Sequence, residues 1–313
     1  MPRGEAGAAR VVGVKSRPLW QRFAEWTLRR LAGLPFAWLH RLGALVGRAI
    51  FLFSPRTRAR IVDNIRDAGI VGGDERPVLR LARSCAEELG KGLLEILPMW
   101  FGRSEDMLAR VQLDDSWPLA RSIAAAGHGA IFLTPHLGNF EIAGQFLAHN
   151  MKVTLMYRPP RIAWLDPVLR HGRTQGRASM TTADTRGVRA LLKALRRGEA
   201  IGLLPDQVPA RGHGIAADFF GRPAYTSTLI GKLQQASGSP VIFICVTRLR
   251  AAKGFAITFQ PLPQPLPHDD AASARALNAI QEELIRRNPE QYLWSYNRHK
   301  NPIALAGPPK PGD

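Results

Sequence analysis

His136 and Glu141 are the residues of this 313-residue chain whose types and spacing most directly suggest chemistry. They lie in TPHLGNFEIAG, residues 134–144, where an apolar run ends at Thr134 and Pro135 bars further strand pairing. Gly138-Asn139 permits a turn into a helix, so His136 is predicted at a strand-to-helix junction, a common place for sites in α/β sheets. Glu141 follows five positions on, in the first helical turn. That spacing lets its carboxylate reach back to one imidazole nitrogen while the other nitrogen faces a cleft. Histidine titrates near neutrality and can take the proton of an attacking hydroxyl; the carboxylate would fix the tautomer and stabilise the imidazolium. The competing reading is a histidine that caps a helix.

Other polar positions are weaker candidates. Arg158 and Arg161 bracket two prolines after a strand, a rigid basic loop suited to phosphate or carboxylate contact, or a solvated surface. Asp206 follows an apolar run and starts a loop containing Gly212 and Gly214; with His213 it supplies one carboxylate and one histidine, too few for a metal site. Phe219 and Phe220 could line a groove or pack in a core. Tyr225-Thr226-Ser227-Thr228 precedes a helix and suits N-capping. No Ser or Cys stands in a recognisable nucleophile elbow, so a covalent intermediate is not required.

The elements that must position these residues alternate. Short strands are predicted at 130–134, 152–158, 201–204, 241–246 and 255–259. Helices are predicted through about His149 and at 77–101 (ending near Pro98), 188–197, 229–237 and 272–287. Strands interleaved with helices predict an α/β fold, a sheet covered on both faces. Residues 1–17, rich in Gly, Ala and Arg, read as a flexible basic tail, and 301–313 as another. From 18 to 56 the chain is apolar and aromatic but interrupted by Arg29, Arg30, His40, Arg41 and Arg48. That suits helices lying in a membrane interface better than a clean span, with an amphipathic pair packed on the core as the alternative.

Lys and Arg total 43 against 25 acidic residues, a net charge of +18, so the partners favoured are polyanions: nucleic acid, an anionic membrane or an acidic carrier protein. Nucleic acid is set aside, because no helix-turn-helix, zinc finger or RNP-like pattern is present and the aromatics cluster with apolar residues. Cys85 and Cys245 lie far apart and read as free buried thiols.

HLGNFE resembles the His-x4-Asp/Glu motif of the lysophospholipid acyltransferase superfamily. With YRPP at 157–160, Gly172-Arg173, PDQ at 205–207, FFGRPAYTST at 219–228 and PEQYLWSYNRHK at 289–300, the likeness extends to its lipid A branch of late acyltransferases. It spans about residues 57 to 300, which the resemblance implies as the catalytic domain. SYNRHK departs from the His-Arg-Arg-Phe-Lys type of ending common there. The resemblance implies a mixed, mostly parallel α/β sheet covered by helices, with a membrane-associated helical N-terminus and a hydrophobic acyl groove. It implies His136 as catalytic base, Glu141 orienting it, and Arg173 with Asp206 as a second polar pair; Arg158 and Asn139 are added as further supporting or substrate-binding candidates. The implied reaction moves a fatty acyl group from acyl carrier protein or acyl-CoA onto a hydroxyl of a lipid A precursor, without cofactor or metal, at the cytoplasmic face of a Gram-negative inner membrane. Another lipid acceptor, a lysophospholipid or an amino-acid lipid, is the alternative.

Overall fold

A computed structural model describes residues 18–72, 74–101, 103–160 and 162–300. The two expected tails, 1–17 and 301–313, and Arg161 lie outside the described residues.

Four helices come first: α1 (Leu19–Ala32), α2 (Phe36–Phe53), α3 (Pro55–Asp67) and α4 (Glu75–Trp100). Pro55 opens α3 where a missing N–H costs nothing. Helix α4 includes Pro98 and ends two residues past it at Trp100, near the expected stop; Leu97, Pro98 and Met99 are all buried, and their packing outweighs the lost bond. Then follow α5 (Ser104–Leu108), β1 (Val111–Leu113), α6 (Ser116–Ala125), β2 (Ala130–Leu133), α7 (Phe140–Asn150) and β3 (Val153–Tyr157). Next come α8 (Asp166–Arg173), β4 (Ala178–Thr182), α9 (Thr185–Arg196), β5 (Ala200–Leu203), β6 (Gly214–Phe219) and β7 (Arg222–Ser227). The chain closes with α10 (Leu229–Ser237), β8 (Val241–Arg248), β9 (Phe255–Pro261), α11 (Asp270–Arg287) and one 3-10 turn at Pro289–Gln291.

Seven strands form one sheet in the order β1-β9-β8-β2-β5-β3-β4, parallel throughout except at β8-β9. Alternation along the central strands divides the core in two. Ile131, Leu133, Ile201, Leu203, Val241 and Phe243 face one layer, while Ala130, Phe132, Ala200, Ile242 and Ile244 face the other. With both faces buried, these strands are short continuous apolar runs, as a parallel sheet between helices requires. Cys85 and Cys245 are free and buried, and burial pushes the Cys245 thiol up to about 12.

Strands β6 and β7 form a separate antiparallel hairpin whose two-residue turn, Phe220-Gly221, has positive φ at both positions (51° and 70°). Phe219 and Phe220 are buried in the core near Tyr292 and Trp294, so the packing reading holds for both. The capping reading of residues 225–228 holds for Ser227 alone. Tyr225–Ser227 belong to β7, Thr228 makes no side-chain cap, and Ser227 Oγ accepts from Leu229 N at 3.3 Å.

Helix α2 lays a stripe of Phe36, Leu39, His40, Gly43, Gly47 and Phe51 against the protein. Its crossing with α4 is close: a β-carbon on Gly47 would overlap the Ala86 carbonyl, and one on Gly90 the Gly43 carbonyl. Trp38, Leu45, Leu52 and Phe53 point out, continuing the exposed Trp20, Phe23 and Trp26 of α1. By length and composition, α2 could cross a membrane.

Candidate active site

The loop 134–139 leaves the carboxyl end of β2, and neighbours from several parts of the chain fix it. Leu293 N donates to His136 O, Gly138 N to Gln291 O and Asn139 N to Val246 O, each at 3.0 Å. Leu137 and Tyr292 pair as an isolated antiparallel bridge. Gly138 has φ +59, and a β-carbon there would overlap the Val246 carbonyl, so only glycine fits between the two backbones. Asn139 ends the loop as the N-cap of α7, its Oδ1 accepting from Ile142 N at 3.2 Å. The PEQYLW segment is therefore a backbone strap over the histidine loop.

His136 is oriented by Asp206, which follows β5. One carboxylate oxygen accepts the ring Nδ1–H at 2.7 Å and the other accepts the His136 backbone N–H at 2.8 Å. On the far edge of the ring, Gln207 Nε2 lies 3.0 Å from His136 Nε2. Asp206 is almost fully buried. Burial alone would raise its pKa, but the His136 charge and the two N–H groups more than offset that and hold it below the ordinary carboxylate range. Beneath it, burial and the Asp206 charge push the Tyr292 phenol well up.

Glu141 is not the hydrogen-bond partner of the His136 ring in this structure. Its carboxylate is held by Arg173, with Nε donating to Oε2 at 2.8 Å and the terminal nitrogen donating to Oε1. The expected partners are exchanged: histidine pairs with Asp206, and Glu141 with Arg173. The reason is geometric. Asp206 accepts both N–H groups on the His136 Nδ1 side, while α8 brings Arg173 over the first turn of α7. That placement is fixed where Gln145 Nε2 donates to Gly172 O at 2.6 Å and Gly172 packs on Trp100. Burial lowers and Glu141 raises the Arg173 pKa, and the raising dominates. Arg158 is exposed just beyond β3 and joins neither pair.

A buried network under the loop carries no motif in the sequence. Glu95 of α4, 0% exposed, accepts from His40 Nε2 at 2.6 Å, Arg248 Nε at 2.8 Å and Asn139 Nδ2 at 3.0 Å. Arg248, at the end of β8, also donates to Gly138 O at 3.0 Å. Gln291 clasps the Arg248 backbone on both sides, accepting its N–H at 2.7 Å and donating to its O at 3.1 Å. Burial raises the Glu95 pKa, but Arg248 and His40 lower it more. Two charged residues on apolar helix and strand faces, Glu95 and Arg248, were the only signal available. They pair across half the chain.

His136, Phe140 and Glu141 open on a cleft of about 180 Å³, walled by Leu89, Ile96 and Leu293. The Phe140 ring lies 4.7 Å from the His136 ring, centroid to centroid. Phe140 and Glu141 also line a second apolar space of about 40 Å³ between α7 and the sheet. A polarised histidine at the mouth of apolar space can deprotonate a hydroxyl carried by a hydrophobic molecule.

A family model described as bacterial lipid A biosynthesis acyltransferase matches residues 19–301. The chain is similar to the lipid A biosynthesis lauroyltransferase of Escherichia coli K12, 26% identical over 272 residues that cover 85% of this chain and 87% of the relative. It is also similar to the lipid A biosynthesis palmitoleoyltransferase of that organism, 26% identical over 68% of this chain and 69% of the relative. A lipid A biosynthesis acyltransferase of Haemophilus influenzae is 31% identical over 54% of this chain and 53% of its own.

Proposed function

Since the chain belongs to the bacterial lipid A biosynthesis acyltransferase family, whose members are O-acyltransferases, we propose that it moves a fatty acyl group from acyl carrier protein, or from acyl-CoA, onto a hydroxyl of a lipid A precursor. His136 Nε2 takes the hydroxyl proton as the oxygen attacks the thioester carbonyl. The C–S bond breaks, and the imidazolium returns the proton to the leaving thiolate. Asp206 holds the ring in the Nδ1–H tautomer and stabilises the imidazolium without taking the proton.

The observation that carries this reading is the Nδ1–H to Asp206 bond on a histidine that borders an apolar cleft. The Glu141–Arg173 pair stands apart from the base and is assigned to holding the acceptor or the developing oxyanion. Asn139 and the buried Glu95–Arg248 pair position the loop. Arg158, exposed at the same end of the sheet, is available to anionic headgroups.

The enzyme works at a membrane surface in this reading. Exposed Trp20, Phe23, Trp26 and Trp38 are interleaved with exposed Arg22, Arg30 and Arg41 on α1 and α2, an arrangement suited to the headgroup region. We assign the enzyme to the cytoplasmic face of a Gram-negative inner membrane, where a basic surface meets both anionic lipid and an acidic carrier. The test is mass spectrometry of lipid A from cells with and without the gene. The expected result is a difference of one acyl unit; identical spectra reject the acceptor.

A further inference from the structure

The proton-accepting nitrogen of His136 is already occupied. Gln207 Nε2 lies 3.0 Å from His136 Nε2, and an amide nitrogen only donates, so Nε2 is the acceptor and the ring proton sits on Nδ1, where Asp206 receives it. Gln207 is tied to the machinery on both sides. Asp206 precedes it, and the next residue, Val208, donates its N–H to the Tyr296 hydroxyl at 3.0 Å. Its carboxamide takes the place an attacking hydroxyl must take, and neither the attack nor the ion pairs use it.

We propose that Gln207 is a removable cap on the base, which keeps water off His136 Nε2 until the acceptor hydroxyl displaces the amide, and so protects the donor thioester from hydrolysis. This rests on the His136 base of the preceding reading. The need for a cap follows from the chemistry. With an acceptor alcohol, a C–O bond forms, the C–S bond breaks, and the proton passes from oxygen through Nε2 to the thiolate, giving ester and thiol. With water at Nε2 the same electron flow consumes one water and gives free fatty acid and thiol. The oxygen resting on Nε2 decides which product forms. A single neutral N–H···N bond suits the task. It biases occupancy against a transient water by about five- to tenfold. It still yields to a hydroxyl held in place by the rest of a bound lipid.

The test uses the full chain in detergent micelles with an acyl thioester donor. It measures free fatty acid released without acceptor and ester formed with a lipid acceptor. Gln207→Ala is expected to raise acceptor-independent release about five- to tenfold while ester formation persists. Gln207→Leu, which fills the space without a donor, is expected to keep release near the unaltered level. Unchanged release in Gln207→Ala with ester formation intact overturns the cap alone. Equal loss of release and ester formation in both variants also overturns it, since that is a structural effect. Failure of the unaltered chain to form ester with any lipid acceptor instead rejects the functional reading.

Discussion

Replacing Asp206 with asparagine separates the two ways of orienting His136. The aspartate accepts two N–H groups from the same residue, ring Nδ1–H at 2.7 Å and backbone N–H at 2.8 Å, one on each oxygen. Asparagine has a single acceptor oxygen. If that oxygen takes the backbone N–H, the amide NH2 faces Nδ1, and the ring proton is driven to Nε2, the nitrogen that must be bare. If it takes the ring, the NH2 faces the backbone N–H and the loop shifts. Losing the tautomer or the general base costs about 10²- to 10⁴-fold in kcat, which is roughly 3–5.5 kcal/mol of barrier at about 1.4 kcal/mol per decade. Asp206 is buried away from the cleft, so KM for donor and acceptor is expected to stay within about threefold. The assay is initial rate against each substrate, with thermal melts to monitor folding. Asp206→Asn retaining near-normal kcat, while Glu141→Gln abolishes it in a folded protein, refutes the pairing and restores Glu141 as the histidine's partner.

Glu95→Gln leaves Arg248 buried without its close carboxylate, at an expected cost of about 3–5 kcal/mol. Because Arg248 also holds Gly138 O, kcat is expected to fall more than about tenfold; an unchanged kcat in the folded variant removes Glu95 from loop positioning. Acid stability follows from two carboxylates depressed in the folded state, Glu95 and Asp206. Between the folded and unfolded values the unfolded chain binds more protons. Their contribution is thus full above the unfolded values near about 4 and is lost as pH falls through the folded ones. Urea midpoints measured from pH 6 downwards should drop steeply below about pH 4, and a flat profile contradicts the assignment. Gly47→Leu forces carbon into the Ala86 carbonyl, where both neighbours are backbone and cannot rotate away. A loss of about 1–3 kcal/mol or more is expected in thermal or denaturant unfolding, and an unchanged midpoint means that α2 does not pack on α4 as described.

The central sheet was readable from sequence because its strands are short apolar runs between turn signals, as at Ala130–Leu133 and Val241–Arg248. Strand β4 was not, because ASMTT lies at the sheet edge, lacks a buried face and carries no apolar run. The β6–β7 hairpin was missed because its turn begins with Phe220, a bulky residue at positive φ that sequence preference argues against. Spacing picks out His136 and Glu141, the family resemblance adds Arg173 and Asp206, and hydrogen bonds join the four as two pairs. What failed was the pairing. Spacing along the chain says that Glu141 could reach back to His136, but which carboxylate reaches the ring depends on how β5 and α8 meet it. Glu95 was invisible for the same reason, since its partners His40, Asn139 and Arg248 come from three other elements.

The strap formed by Gln291, Tyr292 and Leu293 has a consequence for the order of assembly. The histidine loop emerges from the ribosome long before the segment that pins it, because its backbone bonds to His136 and Gly138 come from half the chain away. A nascent chain, or one clipped ahead of Pro289, keeps the Asp206 bonds to His136 but lacks the two backbone bonds from Gln291 and Leu293. The final shape of the histidine loop therefore waits on the arrival of Gln291 and Leu293, and until then fewer backbone bonds hold it.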